Sequence, residues 1–225
     1  MTPKKIHCYF VPGLAASKEI FKNIRLPEGQ FEIHILDWLI PEKGESLSAY
    51  AKRMCEGVEH ENPVLLGVSF GGVVAQEMSV FLKLKQLIIV SSVKTKNELP
   101  RGLKTIRKTG IYKLVPTGWA LSAKDLTKFA IGPRSKKRLR LYQEYLWMRD
   151  KVYLDWAIKQ MICWDRETAV ADVIHIHGDA DFVFPIKNIE ATHIIPNGTH
   201  VMILNKGSKV GKLLENILKN DKLAR

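Results

Sequence analysis

Val64-Leu65-Leu66-Gly67-Val68-Ser69-Phe70-Gly71-Gly72-Val73-Val74-Ala75 is the stretch on which the reading of the whole chain turns. Its opening apolar run, rich in β-branched residues and bounded by glycine, has the length and composition of a buried strand. Helix formers, Ala75-Gln76-Glu77-Met78, follow the glycines. Between the two lies Gly67-x-Ser69-x-Gly71, a turn too sharp for side chains at its glycines, with one hydroxyl at the apex. A strand that breaks into a helix in this way lifts the serine Oγ above the sheet. It also aims the first N–H groups of the helix at any anion formed there.

Outward from this unit the same rhythm repeats. Lys5-Ile6-His7-Cys8-Tyr9-Phe10-Val11 reads as a buried strand closed by Pro12-Gly13, and Phe31 to Trp38 alternates apolar and polar residues as a more exposed edge strand does. Ser46 opens a helix with Leu47, Tyr50, Ala51, Met54 and Val58 on one face. Gln86-Leu87-Ile88-Ile89-Val90, Val173-Ile174-His175-Ile176-His177 and Thr192-His193-Ile194-Ile195 read as three further strands. A closing helix carries Val210, Leu213, Leu214, Ile217 and Leu218 on one face. Strands alternating with helices predict an α/β fold: a parallel sheet of about six strands, layered by helices, with ligands outside the carboxyl ends of the strands. From residue 97 to 168 the alternation stops. That stretch is helical in tendency, holds four of the five tryptophans and is too long for a plain connection. It reads as an inserted helical cap, which leaves 1–96 and 169–225 as the core.

With 225 residues, 46% of them hydrophobic and 26% charged, the chain can close one full hydrophobic core. No apolar run approaches a signal-peptide core or a membrane span. The three cysteines (Cys8, Cys55, Cys163) are odd in number and have neither disulfide-framework nor metal-ligand spacing, so a cytoplasmic chain with reduced thiols is expected. No cluster of metal ligands, no G-x-G-x-x-G and no phosphate-binding loop is visible, so neither metal nor cofactor is expected. The net charge of +12 is unevenly placed. Lys94 to Lys151 holds sixteen Lys or Arg against four acids, which accounts for the whole excess. Such a run, Lys136-Lys137-Arg138-x-Arg140 at its heart, most often means a solvated face rather than a specific nucleic-acid site. It would also draw anionic substrates inward, an effect that salt screens. Nothing in the sequence signals an oligomeric state.

Two later loops carry chemistry. Gly178-x-x-Asp181-x-x-x-Pro185 follows the fifth strand, and Asn197-Gly198-Thr199-His200 follows the sixth. Taken with the Ser69 turn, they resemble the nucleophile elbow, acid loop and histidine loop of the α/β-hydrolase family, in that family's chain order. The resemblance covers the chain apart from the cap and implies a three-layer sandwich with a minimal sheet, beginning at the family's usual third strand. It implies a catalytic Ser69, His200 and Asp181, with Gly67 and Gly71 as elbow glycines. Asp179 competes for the acid role, since aspartates commonly stabilise turns; in the family the acid stands four residues before the proline, at Asp181. The resemblance also implies an oxyanion hole from the backbone N–H groups of Phe70 and Leu14. Many relatives have His-Gly where this chain has Pro12-Gly13, a departure that removes an imidazole but not the backbone donor.

A serine at the elbow disfavours the dehalogenase and epoxide-hydrolase branches, which use aspartate there. The expected chemistry is hydrolysis of a carboxylic ester or thioester, on a small-molecule substrate that the basic segment would favour if anionic. The alternatives are carbon–carbon bond hydrolysis by the same triad, and a ligand-binding protein that keeps the fold without turnover. Of the other histidines, His7, His34, His175 and His193 fall inside strands as packed residues, His177 ends its strand beside Gly178, where it either borders the pocket or packs, and His60 lies in a loop.

Overall fold

The computed structural model describes residues 5–110 and 148–220. Six parallel strands form one sheet in the order β2-β1-β3-β4-β5-β6. They are β1 (Ile6–Val11), β2 (Phe31–Ile35), β3 (Val64–Val68), β4 (Gln86–Val90), β5 (Ile174–Gly178) and β6 (His193–Ile195). The predicted edge strand is an edge, but it stops at Ile35. Leu36 still donates its N–H to Phe10, whereas Trp38 turns inward and gives its indole N–H to the Gly13 carbonyl.

Among the described residues the α-helices are α1 (Leu47–Met54), α2 (Phe70–Met78), α3 (Arg101–Thr109), α4 (Lys151–Cys163), α5 (Met202–Asn205) and α6 (Gly207–Asn220). Ser46 caps α1 by accepting the Ala49 N–H, and Asp150 caps α4 by accepting that of Tyr153. The first helix is shorter than its apolar face predicts: it tightens into a 3-10 turn over Cys55–Gly57, and Val58 lies beyond it.

Alternation along the strands sorts the core into two layers. Tyr9, Val11 and Leu65 face α1, α2 and α4 and pack with Tyr50, Val73, Val74 and Tyr153. Cys8, Phe10, Val64, Leu66 and Ile88 face the other way, onto Val210, Leu214 and Leu218 of α6. The result is the six-stranded parallel sheet layered by helices that the alternating pattern predicts, a three-layer sandwich as the resemblance implies. Burial pushes the Cys8 thiol up to about 12 and that of Cys55 up to about 11, so neither is a thiolate near neutral pH. No helix among the described residues is long and apolar enough to cross a membrane.

The proposed cap, 97–168, falls partly outside the described residues, and with it Lys136-Lys137-Arg138-x-Arg140. Its described stretch 148–168 is anchored on the core. The rings of Tyr153 and Trp156 on α4 lie 5.4 Å from Trp38 and 4.3 Å from Tyr50. The Trp164 indole and the Arg166 guanidinium both donate to Glu77 on α2.

The strand order reverses between β1 and β3, because β2 lies on one side of this pair and β4 on the other. Loops leaving their carboxyl ends diverge and open a crevice there. The loop after β1 and the Ser69 turn stand at that point.

Candidate active site

Ser69 joins β3 to α2 at φ 54°, ψ −120°, a conformation that L-residues seldom adopt. The surroundings hold it there. A Cβ on Gly67 would lie 2.2 Å from the Gly71 carbonyl oxygen, and one on Gly71 would lie 2.2 Å from that of Pro12. Both positions therefore need glycine, because backbone occupies the space of a side chain. The Ser69 N–H donates to Val90 and its carbonyl accepts from the Ser92 hydroxyl, so β4 braces the turn from the far side.

A similar close approach unites the other two loops. A Cβ on Gly178 would sit 2.1 Å from the Gly198 carbonyl oxygen, which accepts the Ala180 N–H. The end of β5 thus touches the turn after β6. Asp181 and His200, nineteen residues apart, meet across that contact. The imidazole lies between the other two groups, with Nδ1 2.9 Å from Asp181 Oδ2 and Nε2 3.0 Å from Ser69 Oγ. The second carboxylate oxygen, Oδ1, accepts the N–H groups of Val183 and Phe184 at 2.8 and 2.9 Å. With Oδ2 acting as acceptor, the His200 proton sits on Nδ1 and the Nε2 lone pair faces the serine. Asp181 is 3% exposed, whereas Asp179 is exposed and bonds through its backbone to Ile195. Burial acts to raise the Asp181 pKa. The His200 charge and hydrogen bond, with the Phe184 N–H and His177, outweigh it and hold the carboxyl below its usual range.

The loop after β1 lies against the elbow: a Cβ on Gly13 would stand 3.7 Å from the Ser69 Cβ. Among the described residues, neither the Leu14 nor the Phe70 N–H has an acceptor. Three bonds from elsewhere in the chain hold this loop. Trp38 donates to the Gly13 carbonyl, the Tyr153 hydroxyl accepts the Ala15 N–H at 3.5 Å, and Met148 donates to the Ala15 carbonyl. These partners come from distant parts of the chain, so no local motif announces them.

Behind the acid lie two histidines, His177, which sequence reading places either at the pocket or packed, and His175, which it reads as packed. His177 Nε2 donates to the Phe184 carbonyl at 2.8 Å and stands 3.5 Å from Asp181 Oδ2; its Nδ1 accepts from His175 Nε2 at 3.2 Å. Both rings are fully buried. Burial drives the His175 pKa down to about 3, helped by the charges of His177 and Lys94, and burial also lowers that of His177. In the unfolded chain each would titrate near ~6.5. As the pH falls below that value the unfolded state takes up protons that the folded state refuses, so stability falls. The His175 contribution is complete above ~6.5 and drains away down to about 3. Urea midpoints measured from pH 7.5 to 5 should therefore fall steeply. His175→Gln should remove a part of that slope that grows from near zero at pH 7.5 to about 1.4 kcal/mol per pH unit near pH 5. Parallel slopes in variant and wild type would show that His175 is not the source.

No family model and no curated protein matches the sequence. Solved structures do. A hydrolase from Oleispira antarctica superimposes with a TM-score of 0.72 over 98% of this chain and 93% of its own, at 14% identity. A thermophilic esterase from Thermogutta terrifontis gives 0.66 over 98% and 92%, at 15% identity. A bromoperoxidase from Bacillus anthracis gives 0.66 over 96% and 92%, at 17% identity. The chain has the α/β-hydrolase fold. At such identities the likeness speaks for the fold alone, and the chemistry has to come from the site itself.

Proposed function

We propose that this chain of α/β-hydrolase fold is a serine hydrolase that cleaves a carboxylic ester or thioester through an acyl-enzyme. One observation carries the reading: the unbroken hydrogen-bonded line from Asp181 through His200 to a serine held at positive φ. Ser69 Oγ attacks the carbonyl carbon while His200 Nε2 takes its proton, and Asp181 steadies the resulting imidazolium. The carbonyl oxygen becomes an oxyanion and is met by the Phe70 and Leu14 N–H groups. Collapse expels the alcohol or thiol, to which His200 returns the proton. Water, deprotonated by the same imidazole, then releases the acid and restores Ser69. The segment 97–168 acts as the lid that shapes the acyl pocket, and its basic residues favour anionic substrates.

A fluorophosphonate probe tests the first step without requiring the substrate. The expected result is one covalent adduct on Ser69 of the wild type, absent from Ser69→Ala and formed far more slowly by His200→Ala. Absence of an adduct on a folded wild-type protein would refute an activated nucleophile and turn attention to ligand binding without turnover.

A further inference from the structure

At the opposite end of the sheet from Ser69, three histidines that are far apart in sequence come together. The register of the first two strands pairs Tyr9 with His34 and His7 with Glu32, so all four side chains share one face. The loop before β3 brings His60 onto them. One ligand nitrogen from each of His7, His34 and His60 lies within 4.8 Å of the others. His7 Nδ1 and His34 Nε2 are 3.0 Å apart, and the His7 and His60 rings stack at 3.5 Å. The three are only partly buried, so an ion could reach them from solvent. Sequence reading expects no metal cluster because spacings of this length match no ligand motif; only the strand register makes one.

We infer that His7, His34 and His60 form a binding site for a borderline divalent cation, with zinc as the ion it fits. Imidazoles without a thiolate suit zinc, copper and nickel rather than magnesium or calcium. Tetrahedral zinc with bonds of ~2.0–2.1 Å places its ligand nitrogens roughly 3.3 Å apart. The His7–His34 pair is already near that spacing, and the widest pair has to close by at most about 1.5 Å. The His60 ring, stacked nearly parallel on His7, also has to turn so that its lone pair meets the ion, and it can do so from a loop without helix or strand.

Its environment is also organised for the task. The Tyr9 hydroxyl stands 2.6 Å from His60 Nδ1 and accepts the Glu59 N–H at 3.1 Å. With Nδ1–H donated to Tyr9, His60 keeps Nε2 for the ion, the outer-shell arrangement that orients metal-binding imidazoles. Glu32, with a carboxylate oxygen 3.9 Å from His7 Nδ1, can supply the fourth ligand in place of water, once it gives up its contact with Lys5. The site lies four residues back along β1 from Val11, roughly 13 Å by strand rise. The ion would therefore pin the loop before β3 to the sheet edge and take no part in hydrolysis.

The test is zinc titration of untagged, chelator-stripped protein against a chromogenic competitor, with cobalt as a spectroscopic stand-in. One equivalent should bind, and Tm should rise by about 5–10 °C at a hundredfold excess over Kd. Cobalt should give the intense visible bands of a four-coordinate site. His60→Ala, a loop substitution, and His34→Ala should each weaken binding at least about 100-fold, while His200→Ala keeps it. Undiminished binding in both cluster variants, loss of binding in His200→Ala, or no binding to the wild type at a large zinc excess would overturn the assignment.

Discussion

Ser69→Ala should lower kcat for a p-nitrophenyl ester by roughly 10⁵–10⁶-fold while leaving the fold intact. The hydroxyl carries little of the structure. It makes no helix-capping bond, and its hydrogen bond is to His200. The strained turn is held by backbone contacts at Gly67 and Gly71, which alanine at 69 does not disturb. A loss of that size with an unchanged urea midpoint would separate chemistry from stability. His200→Ala should cost about as much, and the double variant should cost no more than either single one, because nucleophile and base act as one unit. Multiplying losses would mean that the two contribute independently, which the proposed acyl-enzyme route does not allow.

How much of this was legible before the structure follows from how local each signal is. Strand and helix periods are written in neighbouring residues, so all six strands could be read, with Trp38 the exception because a distant carbonyl at Gly13 draws it inward. Gly67, Gly71, Gly178 and Gly198 stand out in sequence for a physical reason: each occupies a place where another backbone comes within the space of a Cβ. The same turns put Ser69, Asp181 and His200 on adjacent loops. Support from far away left no trace. Tyr153 on the Ala15 amide, and His177 and His175 behind the acid, depend on contacts that only the assembled sheet creates. The spacing to Pro185 favours Asp181 over Asp179 in sequence, although both aspartates suit a turn; the burial of Asp181 and its bond to His200 agree with that choice.

Asp181→Asn should reduce kcat by about 10⁴-fold with little change in KM, through the proton position on His200 rather than through charge alone. The Val183 and Phe184 N–H groups both point at Oδ1. An asparagine must therefore place its carbonyl oxygen there, which turns its NH₂ toward His200 Nδ1. His177 Nε2–H would resist that NH₂ at the Oδ2 position, but from 3.5 Å, against two donors at 2.8 and 2.9 Å. The two shorter bonds win. His200 then has to accept at Nδ1 and carry its proton on Nε2, so it meets the Ser69 hydroxyl as a donor and cannot act as its base. Nitrogen NMR of the imidazole reads this directly, with Nδ1–H expected in the wild type and Nε2–H in the variant. An Asn variant that keeps Nδ1–H, or that retains kcat within tenfold of wild type, would mean that Asp181 does not set the histidine tautomer.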